Sequence, residues 1–164
     1  MYKPEVSKIQ NGLVEMLEKE ACEYFVTLFL VKQTSSNKIN NIMRKFSRKL
    51  RNALVGRYWG KRNLSFSLVP FIERTKNDYP HIHLGLGGDF KPHLNSGWIK
   101  TIISDIWTKV SKHTMAPTYH NPLDNEWFKK VENFSNLIRY MSKQDGCENV
   151  TDKLLLDGLI LSKG

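Results

Sequence analysis

The chain has 164 residues, 40% of them hydrophobic, which suits one domain with a packed core. No apolar run approaches the ~20 residues of a membrane span, the polar and acidic start "MYKPEVSKIQNGLVEMLEKE" does not read as a secretory signal, and the distant Cys22 and Cys147 suggest neither a disulfide framework nor a Cys-based zinc site, so a reducing, intracellular setting is expected. The net charge of +9 is unevenly spread: between Tyr24 and Ile72 there is no Asp or Glu, while Lys32, Lys38, Arg44, Lys45, Arg48, Lys49, Arg51, Arg57, Lys61 and Arg62 fall there. Such a field attracts polyanions such as nucleic acid, unless it is only the solvated face of a basic helix.

No repeat, low-complexity tract or linker divides the chain, which reads as a single domain. Val6, Ile9, Leu13, Met16 and Leu17 recur at helical spacing and predict a first helix. "YFVTLFLV" (Tyr24 to Val31) is β-branched and aromatic, as in a buried strand. Ile39, Ile42, Met43, Phe46, Leu50 and Leu54 line one face of a second helix, with the Arg and Lys residues mostly off that face. "GRYWGKRN" reads as a loop, and "LSFSLVPFIE" as a strand in which Pro70 suggests an edge or a bulge. "RTKNDYP" turns the chain into another strand, "HIHLGLG". Trp98 to Lys112 predicts a helix with Ile99, Ile102, Ile103, Ile106 and Val110 as its apolar stripe. Short extended pieces are expected near Thr118 and from Trp127 to Val131. "NFSNLIRYMSKQDG" reads as a helix capped by Asn133 and stopped by Gly146, and the tail "TDKLLLDGLILSKG" as a last short helix. Strands joined in this order by short turns or helices predict an α+β fold with a mainly antiparallel sheet.

Alternation along the histidine strand puts Ile82, Leu84 and Leu86 on one face and His81, His83 and Gly85 on the other. Two imidazoles separated by two residues can converge on one ion about 2 Å from each, and Gly85 would leave a ligand room to approach. In the preceding strand, Ser65, Ser67 and Glu73 share the parity opposite to Leu64, Phe66 and Leu68. An antiparallel connection through "RTKNDYP" would bring Glu73 close to His81, with both on the open side of the sheet. Two imidazoles and a carboxylate suit a divalent metal. The other reading is a pair of polar residues on a solvated sheet face.

At 100° per residue, Phe134, Leu137, Ile138 and Met141 form the core stripe of the last long helix, while Asn136, Tyr140 and Lys143 cluster elsewhere. A neighbouring ammonium favours phenolate and can hold a phosphate, and a deprotonated phenol can attack phosphorus covalently. A half-buried tyrosine with its hydroxyl in water is the alternative. Arg57, Tyr58, Trp59, Lys61 and Arg62 share a loop in which cations could bind phosphates and aromatics could stack on bases, or simply pack. His93, His113 and His120 have no evident role beyond the surface or local hydrogen bonding.

Taken together, these segments resemble the HUH endonucleases, and within them the single-tyrosine rolling-circle replication initiators, the Rep proteins. "YFVTLFLV" is similar to the first motif of that family, a hydrophobic strand; "PHIHLGL" to the second, two histidines around a hydrophobic residue; and "YMSK" (Tyr140 to Lys143) to the third, Tyr-x-x-Lys on a helix. The resemblance spans about Tyr24 to Lys143, and Glu73 stands where the family often takes a third metal ligand. It implies an antiparallel sheet of about five strands flanked by helices, related to the RNA-recognition-motif arrangement, with its core at about 24–145 inside a domain covering 1–164. It also implies a metal-dependent, site-specific endonuclease and strand transferase acting on single-stranded DNA. Mg²⁺ or Mn²⁺ would be held by His81, His83 and Glu73, or by Asn136 in place of Glu73. Tyr140 would form a 5′-phosphotyrosine link, and Lys143 would position it or the phosphate. The implied partners are single-stranded or hairpin-bearing origin DNA and a host helicase and polymerase, in the cytoplasm of a bacterium or archaeon carrying a plasmid or phage.

The single motif tyrosine departs from the two-tyrosine initiators, and these 164 residues carry no Gly-rich phosphate loop of the helicase type, so no helicase domain is expected among them. Two other readings carry different consequences. A single-tyrosine transposase keeps the chemistry, although such enzymes more often place a glutamine on the helix. A non-catalytic nucleic-acid-binding module predicts binding without a covalent adduct.

Overall fold

The computed structural model describes residues 4–30, 34–74, 80–112, 127–136, 153–154 and 159–161. Their elements are helix α1 (Pro4–Lys19), strand β1 (Tyr24–Phe29), helix α2 (Ser36–Leu54), strands β2 (Phe66–Arg74) and β3 (Pro80–Gly88), helix α3 (Ser96–Ser111), and strands β4 (Phe128–Lys130) and β5 (Lys153–Leu154). The strands form one sheet in the order β4-β1-β3-β2-β5, every pair antiparallel. The fold is α+β, as the order of elements predicts. From β1 to β4 the chain runs β-α-β-β-α-β, the split βαβ arrangement.

The two faces of the sheet have separate cores. Val26 and Leu28 of β1, Ile82, Leu84 and Leu86 of β3, and Leu68 and Ile72 of β2 meet α2 and α3 in the larger cluster. The predicted stripe of α2 is buried at all six positions, and Ser35 caps the helix by accepting the Lys38 N–H. In α3 the deepest positions are Ile99, Ile103, Trp107 and Ser111, while Ile102, Ile106 and Val110 are half-buried. The stripe is therefore rotated toward Trp107, whose indole packs edge-on against Phe46 and donates to Phe29 O at 3.3 Å. Burial of an aromatic of this size contributes more than a flanking isoleucine would.

On the second face Leu13 and Leu17 of α1 pack with Phe25, Val69, Phe71 and Phe134. This corrects the expectation of an open side, since α1 covers part of it. Gly85 gives way to α1 and not to a ligand: a Cβ there would collide with Leu17 Cδ2 and approach Cys22.

Pro70 lies in β2 without cost to the β2–β3 ladder. Leu68 exchanges both of its backbone bonds with Ile160 on the outer side, so Pro70, of the same parity, directs its missing donor outward as well. The tail departs from the predicted helix. Lys153–Leu154 pairs with Phe71 and Ile72, and Ile160 bridges to Leu68, so the described tail residues take up the outer edge of β2. Trp127 to Val131 contributes β4 as expected, whereas the piece near Thr118 lies outside the described residues. No described helix is long and apolar enough to cross a membrane.

Candidate metal centre and nucleic-acid interface

The register settles which residues share the histidine face. Thr27 pairs with His83 and Phe29 with His81 on one side, and Phe71 pairs with His83 and Glu73 with His81 on the other. Directly opposed residues in an antiparallel ladder are the closest side-chain neighbours a sheet offers. The antiparallel return through "RTKNDYP" thus brings Glu73 onto the rung of His81.

His83 is buried, at 6% exposure. Its ring lies between Phe25, stacked at 5.4 Å, and Phe71, tilted at 5.5 Å. Its Nδ1 is hydrogen-bonded to Thr27 Oγ1 at 3.0 Å. The half-buried His81 meets Phe29 edge-on at 4.6 Å, and the two imidazole rings are 6.4 Å apart and almost perpendicular. A buried imidazole held at Nδ1 by a hydroxyl is oriented to ligate through Nε2, which is how second-shell partners tune metal sites. An ion about 2 Å from both rings would draw them closer, and His81, the less buried, is the ring to turn.

Among the described residues no three of His, Cys, Asp and Glu stand together as a metal-binding group. The β2–β3 register sets the backbone positions of His81 and Glu73 opposite each other, with His83 two residues along on the same face, and imidazole and carboxylate are residue types that a divalent ion accepts. Asn136, the alternative ligand, is exposed, and its N–H is taken by Asn133 Oδ1 at 3.2 Å, so Asn133 caps a helical turn at 134–136 as expected. Phe134 in that turn is buried with Phe25 and Phe71, the two rings flanking His83. The turn at 134–136, where the sequence predicts the Tyr140 helix to begin, therefore lies on the histidine face. Tyr140 and Lys143 themselves lie outside the described residues.

Further along this face, Glu20 accepts from Ser67 Oγ at 3.0 Å, both groups being buried. Beside them, burial pushes the Cys22 thiol up to about 12, with the charge of Glu20 adding to the effect.

The basic residues occupy other parts of the molecule. Lys38, Arg44, Lys45, Arg48 and Lys49 are exposed on α2, which packs on the sheet face opposite the histidines. Arg57, Tyr58, Lys61 and Arg62 are exposed and Trp59 half-buried in the turn between α2 and β2. That turn enters β2 at Phe66, whereas Glu73 is seven residues on, about 23 Å at strand rise. The structure unites His81, His83 and the Glu73 rung at one end of the sheet and gathers the loop residues at the other.

Thr27 is the site residue that sequence reasoning missed. Its signal was a hydroxyl within an apolar strand of the right parity, but only the β1–β3 register assigns it to His83. Comparison of the chain with protein families, with curated proteins and with solved structures finds no match.

Proposed function

We propose that the protein is a single-tyrosine HUH endonuclease of the rolling-circle initiator kind, which nicks and rejoins single-stranded DNA. The observation that carries this reading is the pairing of His81 and His83 on one sheet face, with Glu73 on the rung of His81 and Thr27 bonded to His83. Phe134 supports it: in the turn at 134–136, which precedes Tyr140 in the chain, it is buried with Phe25 and Phe71.

His81, His83 and Glu73 would hold Mg²⁺ or Mn²⁺, and the bound ion supplies Lewis-acid polarisation of the scissile phosphate. Thr27 Oγ1 is hydrogen-bonded to His83 Nδ1; in a metal-bound site it would accept the Nδ1 proton, leaving Nε2 to face the ion. The Tyr140 phenol would give its proton to water as its oxygen attacks phosphorus, with the Lys143 ammonium favouring the phenolate. The bond from phosphorus to the 3′ oxygen breaks with its electron pair on oxygen, which takes a proton back from water and becomes a free 3′-hydroxyl. A 5′-phosphotyrosine remains. Attack by a 3′-hydroxyl reverses the step and reseals a strand, so one phosphodiester exchanges for another.

The test is incubation with labelled, hairpin-flanked single-stranded oligonucleotides and Mn²⁺, followed by a denaturing gel. A covalent band that disappears in Tyr140→Phe is expected. The burial of His83 between Phe25 and Phe71 favours a second reading, a binding module with structural histidines. That reading predicts DNA binding without the band.

A further inference from the structure

The turn between α2 and β2 is a tied structure and not a loose basic loop. The N–H groups of Val55 and Gly56 both donate to Arg51 O, at 2.9 and 3.2 Å, and Gly56 takes φ +117°, a conformation that favours glycine. Arg62 N–H donates to Tyr58 O and Leu64 N–H to Trp59 O, each at 3.0 Å. Lys91 arrives from the β3–α3 connection, held by the bond from its N–H to Leu54 O at 2.8 Å. Asp89 Oδ2 accepts the Ser65 N–H at 2.7 Å and closes the other end of the turn.

These ties border an open pocket of about 400 Å³ whose wall, among the described residues, includes Arg57, Tyr58, Trp59, Arg62 and Lys91 and no acidic residue. The Arg51 guanidinium lies 5.2 Å from the Trp59 ring centre, and its buried Nε has no hydrogen-bond partner among the described residues. Tyr58 is 63% exposed, with Lys61 Nζ 5.8 Å from its ring centre. An aromatic platform next to three cations matches a ligand that is both a flat heterocycle and an anion. Bases stack on aromatic rings while phosphates are held by Arg and Lys. The volume falls in the range of small-molecule pockets.

We propose that this pocket takes one nucleotide of a single-stranded DNA, its base on Tyr58 and its phosphate among Arg57, Arg62 and Lys91. It anchors the strand at the end of the sheet remote from His81 and His83. The assignment rests on the reading of the chain as a single-stranded DNA-binding protein, and it does not depend on the chemistry of Tyr140.

The test uses the full chain, with fluorescence anisotropy of a labelled single-stranded oligonucleotide as the readout. Tyr58→Ala weakens binding about ten-fold and Tyr58→Phe leaves it unchanged. Arg57→Ala with Arg62→Ala weakens binding and lowers the slope of log affinity on log salt by about 1–2. Thymidine 5′-monophosphate competes better than thymidine or inorganic phosphate. Unchanged affinity in Tyr58→Ala, or inorganic phosphate or polyglutamate competing as well as the nucleotide, overturns the proposal. The denaturing gel separates the two failures. An intact covalent band with wild-type binding by the Tyr58 and arginine variants removes this pocket alone. A missing band with Tyr58-dependent binding removes the nicking reading alone.

Discussion

Thr27 Oγ1 and His83 Nδ1 are hydrogen-bonded at 3.0 Å across the β1–β3 ladder, joining residues 56 positions apart in the chain. This bond fixes the ring that sits between Phe25 and Phe71, and it makes Thr27 as informative a target as the histidines themselves.

Replacing Thr27 by Val keeps the shape and removes the hydroxyl. The buried Nδ1 then lacks this partner, at a cost of about 1–3 kcal/mol in unfolding free energy. Mn²⁺ affinity falls ~10–100-fold if His83 is a ligand. Thr27→Ser retains most of both. Denaturant melts and calorimetric Mn²⁺ titration read the two effects separately. Lost stability with unchanged metal binding would assign the bond to folding alone.

Gly85→Ala forces a methyl group into Leu17. Overpacking of this kind costs about 1–3 kcal/mol, measurable as a lower denaturation midpoint. Leu17→Ala is destabilising by itself, since Leu17 is fully buried. The double variant is expected to lose less than the sum of the two single losses, because the truncated side chain makes room for the added methyl. Strict additivity would show that α1 does not rest on Gly85 in solution.

Cys22 has its thiol pKa raised from 9.0 to about 12 by burial and by Glu20. The folded state keeps the proton that the unfolded chain releases above pH 9, so this group's contribution to stability declines as pH rises from about 9 toward 12. Cys22→Ala removes that contribution. The difference in unfolding free energy between wild type and variant should shift with pH across this window and stay constant below it. In a Cys147→Ser background, native Cys22 should react with a thiol reagent far more slowly than in denaturant.

Asn133 caps the helical turn at 134–136 through its bond to the Asn136 N–H. Asn133→Ala should cost about 0.5–2 kcal/mol, with Asn133→Asp close to wild type. Equal stability of all three proteins in thermal melts would remove the cap from the account.

The sequence carries the parts of this fold that depend on local periodicity. The alternation of Ile82, Leu84 and Leu86 against His81 and His83 survives intact, as do the α2 stripe and the rung shared by Glu73 and His81. What was hidden depends on long-range packing. The apolar stripe of α1 says that the helix packs, but not that it lies over Gly85, and an absent side chain looks the same whether Leu17 or a ligand fills the space. Thr27 and Lys91 gain meaning only from the β1–β3 register and the bond from Lys91 to Leu54. The tail run "LLLDGLIL" is too short for periodicity to separate helix from strand, and Ile160 pairs with the outer edge of β2.

The central claim is that the histidine face serves a tyrosine nucleophile. The most direct measurement is peptide mass spectrometry of the protein after incubation with Mn²⁺ and hairpin-flanked single-stranded oligonucleotides. The account predicts a nucleotide mass on the peptide containing Tyr140, retained in wild type and lost in His81→Ala and His83→Ala variants that still fold and bind DNA. DNA binding with no adduct across a broad set of sequences, or an adduct that persists without both histidines, would contradict it.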